Sequence, residues 1–282
     1  MLKRLDLRAV EGDLRPHLPR PQAATEPPLE AVRSVLDAVR TRGDAALREL
    51  TERFDGVMVE DFRVPDADVE AARAQIPPLL REALEIARAN VLAYHRSLLP
   101  KDHVHERDGI EVREFHRPVD RAGLYVPGGT APLMSTVLMT AIPARVAGVS
   151  EVVLCTPPGK DGRVPVEILA AAALSGVDEV YAVGGAQAIA AMAYGTESIE
   201  AVDVIVGPGN VYVSLAKREV AGVVGVPSGF AGPSEVVVVA DAQTPVDAAA
   251  IDLIVQVEHG PDSVAWLITW DEEVADRIVE AV

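Results

Sequence analysis

Asp252, Gln256 and His259 fall at i, i+4 and i+7 in the run from Thr244 to Pro261, so on a helix they line one polar stripe. An imidazole and an oxygen donor on adjacent turns can hold one metal ion, and zinc suits such a histidine. Charge favours Asp252 or Glu258 as the oxygen donor, because Gln256 is neutral and a weak ligand. Geometry favours Gln256, which lies one turn from His259, and it sets Glu258 on another face. The pair alone supplies too few ligands for a complete site. A histidine at a helix end also serves simply as a cation favoured by the dipole, so both readings of His259 stand.

The helix that must position this stripe is marked at both ends. Thr244 suits the N-cap, Pro245 the first helical position, and Asp247 puts a carboxylate near the positive end. Gly260-Pro261 stops it. Val246, Ala249, Ala250, Leu253, Ile254 and Val257 fall at helical spacing and form the expected buried stripe.

Other reactive side chains read as structural. His103 and His105 alternate on one face of an expected hairpin, with His116 near its end, but no third ligand lies nearby. Cys155 is the one cysteine, which excludes an internal disulfide and a cysteine-rich zinc site. With no neighbouring histidine in sequence it reads as a small buried hydrophobe rather than a nucleophile. Ser234 lies in a turn entering a strand, lacks the nucleophile-elbow pattern, and reads as a polar contact.

Around these residues the chain changes texture twice. Residues 1–28, rich in Pro and Arg, are expected to form an extended arm, disordered or laid on a partner subunit. Apolar residues at three- and four-residue spacing predict helices over 29–41, 44–54, 66–74 and 77–98. Segments 104–106 and 110–115 flank Asp108-Gly109, a hairpin turn signal. From Gly123, β-rich runs at 123–126, 151–156, 179–183 and 203–206 alternate with Ala-rich helices near 135–147, 166–174 and 187–193. This is the spacing of βαβ units and a parallel sheet, so the fold class is α/β. Further strands are expected at 235–240 and 264–270, and a helix from Glu272.

Three of the strand ends carry glycine turns: Pro127-Gly128-Gly129, Gly184-Gly185-Ala186-Gln187 and Gly207-Pro208-Gly209-Asn210. In an open parallel sheet, ligands bind beyond the carboxyl ends of the strands, where glycine lets backbone approach a phosphate. None of the three is a G-x-G-x-x-G fingerprint, and a glycine turn is ordinary punctuation after a strand. Their shared edge is what points to a nucleotide or phosphate.

Bulk composition narrows the partners. A chain of 282 residues, 49% hydrophobic and 4% aromatic, builds its core from Ala, Val, Leu and Ile. Its 26 Lys and Arg against 43 Asp and Glu give a net charge of -17, which repels phosphate backbones and argues against a nucleic-acid partner. The N-terminus lacks a secretory apolar region, and the apolar stretches are broken by glycine pairs and acidic residues. No membrane partner and a cytoplasmic location are expected.

Taken in order, 123–129 (GLYVPGG), 183–190 (VGGAQAIA), 206–213 (VGPGNVYV), 231–235 (AGPSE) and 256–262 (QVEHGPD) closely resemble the histidinol dehydrogenase family, from about Pro28 onward. The resemblance implies a zinc- and NAD-dependent oxidation of L-histidinol to L-histidine through an enzyme-held aldehyde, in the last steps of histidine biosynthesis. It implies that Tyr125, Gln187 and Asn210 contact NAD, that Ser234, Gln256 and His259 contact substrate, and that Gln256 and His259 are zinc ligands. The choice between Gln256 and a carboxylate thereby falls to geometry.

The same resemblance implies two intertwined Rossmann-like domains of aldehyde-dehydrogenase-like architecture. After an arm at 1–28, a host α/β domain at 29–120 would be interrupted by an inserted NAD-binding domain at 121–234 and resume at 235–282. Homodimers that share their active sites are implied as well. The family's acid–base Glu-His pair and its remaining zinc ligands, an Asp and a His, have no counterpart in 1–282. The expectation is therefore a portion of an enzyme, inactive alone and with no catalytic residue of its own. Two alternatives are a related zinc and NAD dehydrogenase of another small alcohol, such as a sulfonated diol, and a non-catalytic NAD-binding or assembly module.

Overall fold

The computed structural model describes residues 3–18, 28–129, 132–228, 235–258 and 263–282. They fall into two compact units, 27–230 and a second formed by 1–26 with 231–282.

In the first unit four helices come first: α1 (Leu29–Arg42), α2 (Asp44–Asp55), α3 (Asp66–Gln75) and α4 (Pro78–Ser97). Each is amphipathic and buries one stripe, such as Val32, Leu36 and Val39 on α1. An antiparallel hairpin follows, β1 (His103–Arg107) with β2 (Ile110–Glu114). Asp108 and Gly109 turn it with φ of 52° and 77°, both in the left-handed region that a tight two-residue hairpin requires. Every residue of the hairpin is exposed, His103 and His105 included.

The chain then alternates as the glycine and alanine pattern anticipates: β3 (Arg121–Tyr125), α5 (Met134–Ala147), β4 (Glu151–Thr156), α6 (Val166–Ser175), β5 (Glu179–Ala182), α7 (Gly185–Tyr194), β6 (Val204–Val206) and α8 (Val211–Val220). The four strands form one sheet in the order β5-β4-β3-β6, all parallel. Tyr125 stands opposite Cys155, and Cys155 opposite Tyr181. Val152, Val153, Leu154 and Cys155 are all fully buried, as expected where helices cover both faces of a parallel sheet. Helix α3 packs on α6, α4 on α5 and α1 on α7, so the early helices share this core.

The amino edge of the sheet is tied by charge. The Arg121 guanidinium pairs with both Glu151 and Glu179. Tyr181 donates to Glu179 at 3.0 Å, and the Asp203 carboxylate accepts from the backbone N–H groups of Asp120 and Arg121 at 3.0 and 2.8 Å.

The second unit contains β7 (Glu235–Val239), α9 (Val246–Val257), β8 (Val264–Ile268) and α10 (Glu272–Ala281). The two strands pair in parallel, and their core is Ala240, Ala249, Leu253, Val274 and Ile278. Asp271 caps α10 by accepting from Glu273 and Val274 N–H. Within the same unit, Arg4 of the N-terminal segment pairs with Asp276 on α10, and a 3-10 turn covers Arg15–His17.

Two details differ from the sequence reading. Thr244 does not cap α9: its hydroxyl turns back to Asp241, accepting from that residue's N–H and donating to its carboxylate, both at 3.0 Å, and Pro245 becomes the N-cap. The buried stripe of α9 is also narrower than its periodicity suggests. Ala249, Ala250 and Leu253 are buried, whereas Ile254 and Val257 are exposed within the unit. Helix α8 had no sequence expectation at all. Among the described residues no helix is long and apolar enough to cross a membrane.

Candidate functional site

The carboxyl edge of the four-stranded sheet gathers three of the expected residues. Strand order reverses at β3: the chain moves outward through β4 to β5, then crosses back to place β6 on the other side of β3. In such sheets the two loops leaving the strands on either side of that reversal diverge and open a crevice for ligands.

Tyr125 ends β3 and is 3% exposed. Its hydroxyl accepts the N–H of Gly185 at 3.0 Å and so satisfies the first turn of α7. Burial pushes its phenol up to about 12, with the nearby Asp55 carboxyl adding to the rise, so it stays a neutral hydroxyl. Gln187, 1% exposed, folds its amide over the same helix start: a Cβ built on Gly185 would lie 2.5 Å from Gln187 Oε1. Asn210 caps α8, its Oδ1 accepting from Val213 N–H at 3.1 Å.

The turns interlock through backbone. Gly207 has φ of 112°, and a Cβ there would lie 2.1 Å from the carbonyl oxygen of Tyr125, so the β6 turn abuts the end of β3 main chain to main chain. Gly184 lies against Pro157, at the end of β4, closely enough that a Cβ would fall 2.5 Å from the proline ring. Two helix N-termini, each with partial positive charge and N–H groups beyond the internal ladder, therefore start from this edge.

Sequence reasoning missed two groups here. Asp55 is the last residue of α2, at the negative end of that helix, and its Oδ2 is buried without a hydrogen-bond partner. Burial holds its carboxyl above the ordinary range. Lys217 on α8 is 1% exposed and donates to the carbonyls of Gly207 at 2.8 Å and Ser228 at 2.9 Å. The spacing of Val213, Ala216 and Val220 behind the cap Asn210 carried the signal for α8 and hence for Lys217.

These features fit a dinucleotide. The edge offers helix N-termini to a pyrophosphate and glycine backbone in place of side chains. Cys155, in contrast, lies fully buried in β4, and burial pushes its thiol up to about 12, which rules out a thiolate nucleophile near neutral pH.

For the metal pair, Gln256 lies in the last turn of α9 and is partly buried. His259 and Ser234 lie outside the described residues. Among the described residues no group of three His, Cys, Asp or Glu side chains could hold a metal ion. Gln256 and His259 could contribute an amide oxygen and an imidazole nitrogen, a neutral set that needs anionic ligands from elsewhere to suit zinc.

Residues 18–282 match the histidinol dehydrogenase family. The chain is 48% identical to histidinol dehydrogenase of Xanthomonas euvesicatoria over 98% of its own length and 65% of the relative's. It is 47% identical to that of Methanothermobacter thermautotrophicus over 90% of its length and 60% of the relative's. Its fold is similar to the crystal structure of histidinol dehydrogenase from Elizabethkingia anophelis, with a TM-score of 0.84 at 39% identity, covering 93% of this chain and 61% of that one. The chain spans between 58% and 65% of the length of these curated relatives. With the match running through the β-strand edge and the helix of Gln256 alike, the chain belongs to the histidinol dehydrogenase family.

Proposed function

We propose that this chain is the NAD-receiving part of a histidinol dehydrogenase, which oxidises L-histidinol to L-histidine through the aldehyde in two hydride transfers to NAD. The observation that carries the reading is the carboxyl edge of the β5-β4-β3-β6 sheet, where Tyr125, Gln187 and Asn210 stand at the starts of two helices in a chain of this family. The strand order is that of the first half of a dinucleotide-binding sheet, which supports the Rossmann-like description. The domain inserted at 121–234 into a host formed by 29–120 and 235–282 rests on the family resemblance alone, since helices α1 to α4 share one compact unit with the sheet.

In this reading the neutral Tyr125 hydroxyl and the Asn210 carboxamide hold the two helix starts open toward the pyrophosphate. The buried Gln187 amide orients the dinucleotide by hydrogen bonds, and the low-polarity strands beneath exclude water. Ser234, Gln256 and His259 would contact substrate, and Gln256 with His259 would hold zinc; when bound, zinc supplies Lewis-acid polarisation and orientation of the substrate. The acid–base pair of the reaction is not among 1–282, so no residue here is assigned to proton transfer. A cytoplasmic location and a homodimer with shared sites accompany the proposal.

The test is NADH formation from L-histidinol and NAD in the presence of zinc. A polypeptide of the relatives' full length carrying 1–282 should turn over, and Gln256→Ala in it should lower kcat by about 100-fold, the usual scale for losing metal affinity or geometry. Residues 1–282 by themselves should bind NAD without turnover. Preference for a sulfonated diol over histidinol would move the assignment to the related alcohol dehydrogenase, and NAD binding with no alcohol oxidised by the long polypeptide would leave only a binding module.

A further inference from the structure

Lys217 is an expensive residue to keep where it is. It is 1% exposed, its ammonium has no carboxylate among its hydrogen-bond partners in the described residues, and burial lowers its affinity for the proton. Because side chains on a helix lean toward the N-terminus, Lys217 reaches back along α8 to the turn that precedes it. Lys217 itself lies in the last turn of α8, and its ammonium is carried back to the Gly207 carbonyl in the turn before the helix. A leucine or methionine of similar volume would fill the same space without the desolvation cost.

What the ammonium gains is two main-chain carbonyls from separate loops. One belongs to Gly207, whose left-handed backbone brings the β6 turn against Tyr125. The other belongs to Ser228, beyond the bridge that Gly225 forms with Val204. Among the described hydrogen bonds neither carbonyl accepts from a backbone N–H, and no other side chain joins these two loops.

We propose that Lys217 is the positioning residue of the dinucleotide site: its ammonium fixes the Gly207–Asn210 turn against the Ser228 loop and sets a buried positive charge beside that turn for an anionic ligand. The proposal rests on the reading that NAD binds at this edge. Lys217 does not touch the reacting atoms; it sets where the Asn210 end of the cradle stands, and the charge that destabilises the empty site stabilises the occupied one.

The experiment is NAD binding by calorimetry to the wild-type chain, Lys217→Met and Lys217→Arg, with thermal melting of each. Met should weaken NAD about tenfold, the scale of a lost charge-assisted contact, while keeping a cooperative melt. Arg should recover part of the affinity. A folded Lys217→Met chain that binds NAD as tightly as wild type overturns the proposal. Should Lys217→Met fail to fold, 15N-labelled lysine in the wild type decides: the Lys217 Nζ signal should shift on NAD saturation while those of Lys3, Lys101 and Lys160 do not, and an unmoved Lys217 signal overturns the proposal. Absence of any NAD binding to the wild type would instead remove the underlying reading of the edge.

Discussion

Burial raises two acids, Asp55 and Cys155, with different consequences for the chain. The Cys155 thiol, pushed up to about 12 by burial, is inert: alkylation by iodoacetamide at pH 8 should be undetectable in the folded chain and prompt after denaturation. The Asp55 carboxyl is raised too, by burial, so the folded state binds its proton more tightly than the unfolded chain does. Its sign follows from linkage: Asp55 costs stability once pH exceeds the unfolded carboxylate value, and the cost grows until the folded value is passed. Asp55→Asn should therefore stabilise the chain near neutrality, by under about 1 kcal/mol given its partial exposure and its place at the end of α2. In urea titrations the gain should vanish below about pH 4. At this scale Tyr125, Gln187 and Asn210 were singled out from sequence because their motifs are long, and each lies by a glycine turn at the sheet edge. Asp55 and Lys217 were not, because an unpaired oxygen and a buried ammonium exist only once distant segments are packed.

Among the elements, the turn after β6 is the least tolerant of change. Gly207→Ala would add a methyl 2.1 Å from the Tyr125 carbonyl oxygen at a φ that alanine avoids, so it should cost about 3 kcal/mol or more in urea unfolding. At the opposite edge, Arg121→Met would leave Glu151 and Glu179 facing each other around a vacated cation site, with an expected loss of about 2 kcal/mol. The helices and strands themselves were read from periodicity to within a residue or two, because Val-rich runs bounded by glycine and amphipathic stripes are local signals. Helix α8 escaped that reading. Its first turn sits in the glycine motif, and Lys217 occupies a core position where the pattern anticipates an apolar side chain. Helix α9 was placed correctly, yet its cap was not, since Asp241 competes for the Thr244 hydroxyl.

Across the molecule, two compact units of unequal core define the stability. The unit of 27–230 packs helices on both faces of a four-stranded sheet, while the described part of β7, α9, β8 and α10 centres on a small cluster of Ala240, Ala249, Leu253, Val274 and Ile278. Local opening follows buried apolar contact, so amide exchange should be faster in β7 and β8 than in β3 and β4. Equal protection in both sheets would contradict that ranking. Exposed Val237, Val239, Ile268 and Trp270 mark the small sheet, a concentration of apolar surface that sequence alternation did not reveal. Strand order, and with it the reversal at β3, was also beyond the sequence, because parallel pairing partners carry no local mark. Yet that order is what makes one edge of the sheet a site.

Amide hydrogen exchange with and without saturating NAD tests that edge most directly. NAD should slow exchange at the three turns after β3, β5 and β6, around 126–129, 184–188 and 207–213, and leave the Arg121 edge unchanged. Saturable NAD binding that protects other segments, with these three turns unaltered, would contradict the account.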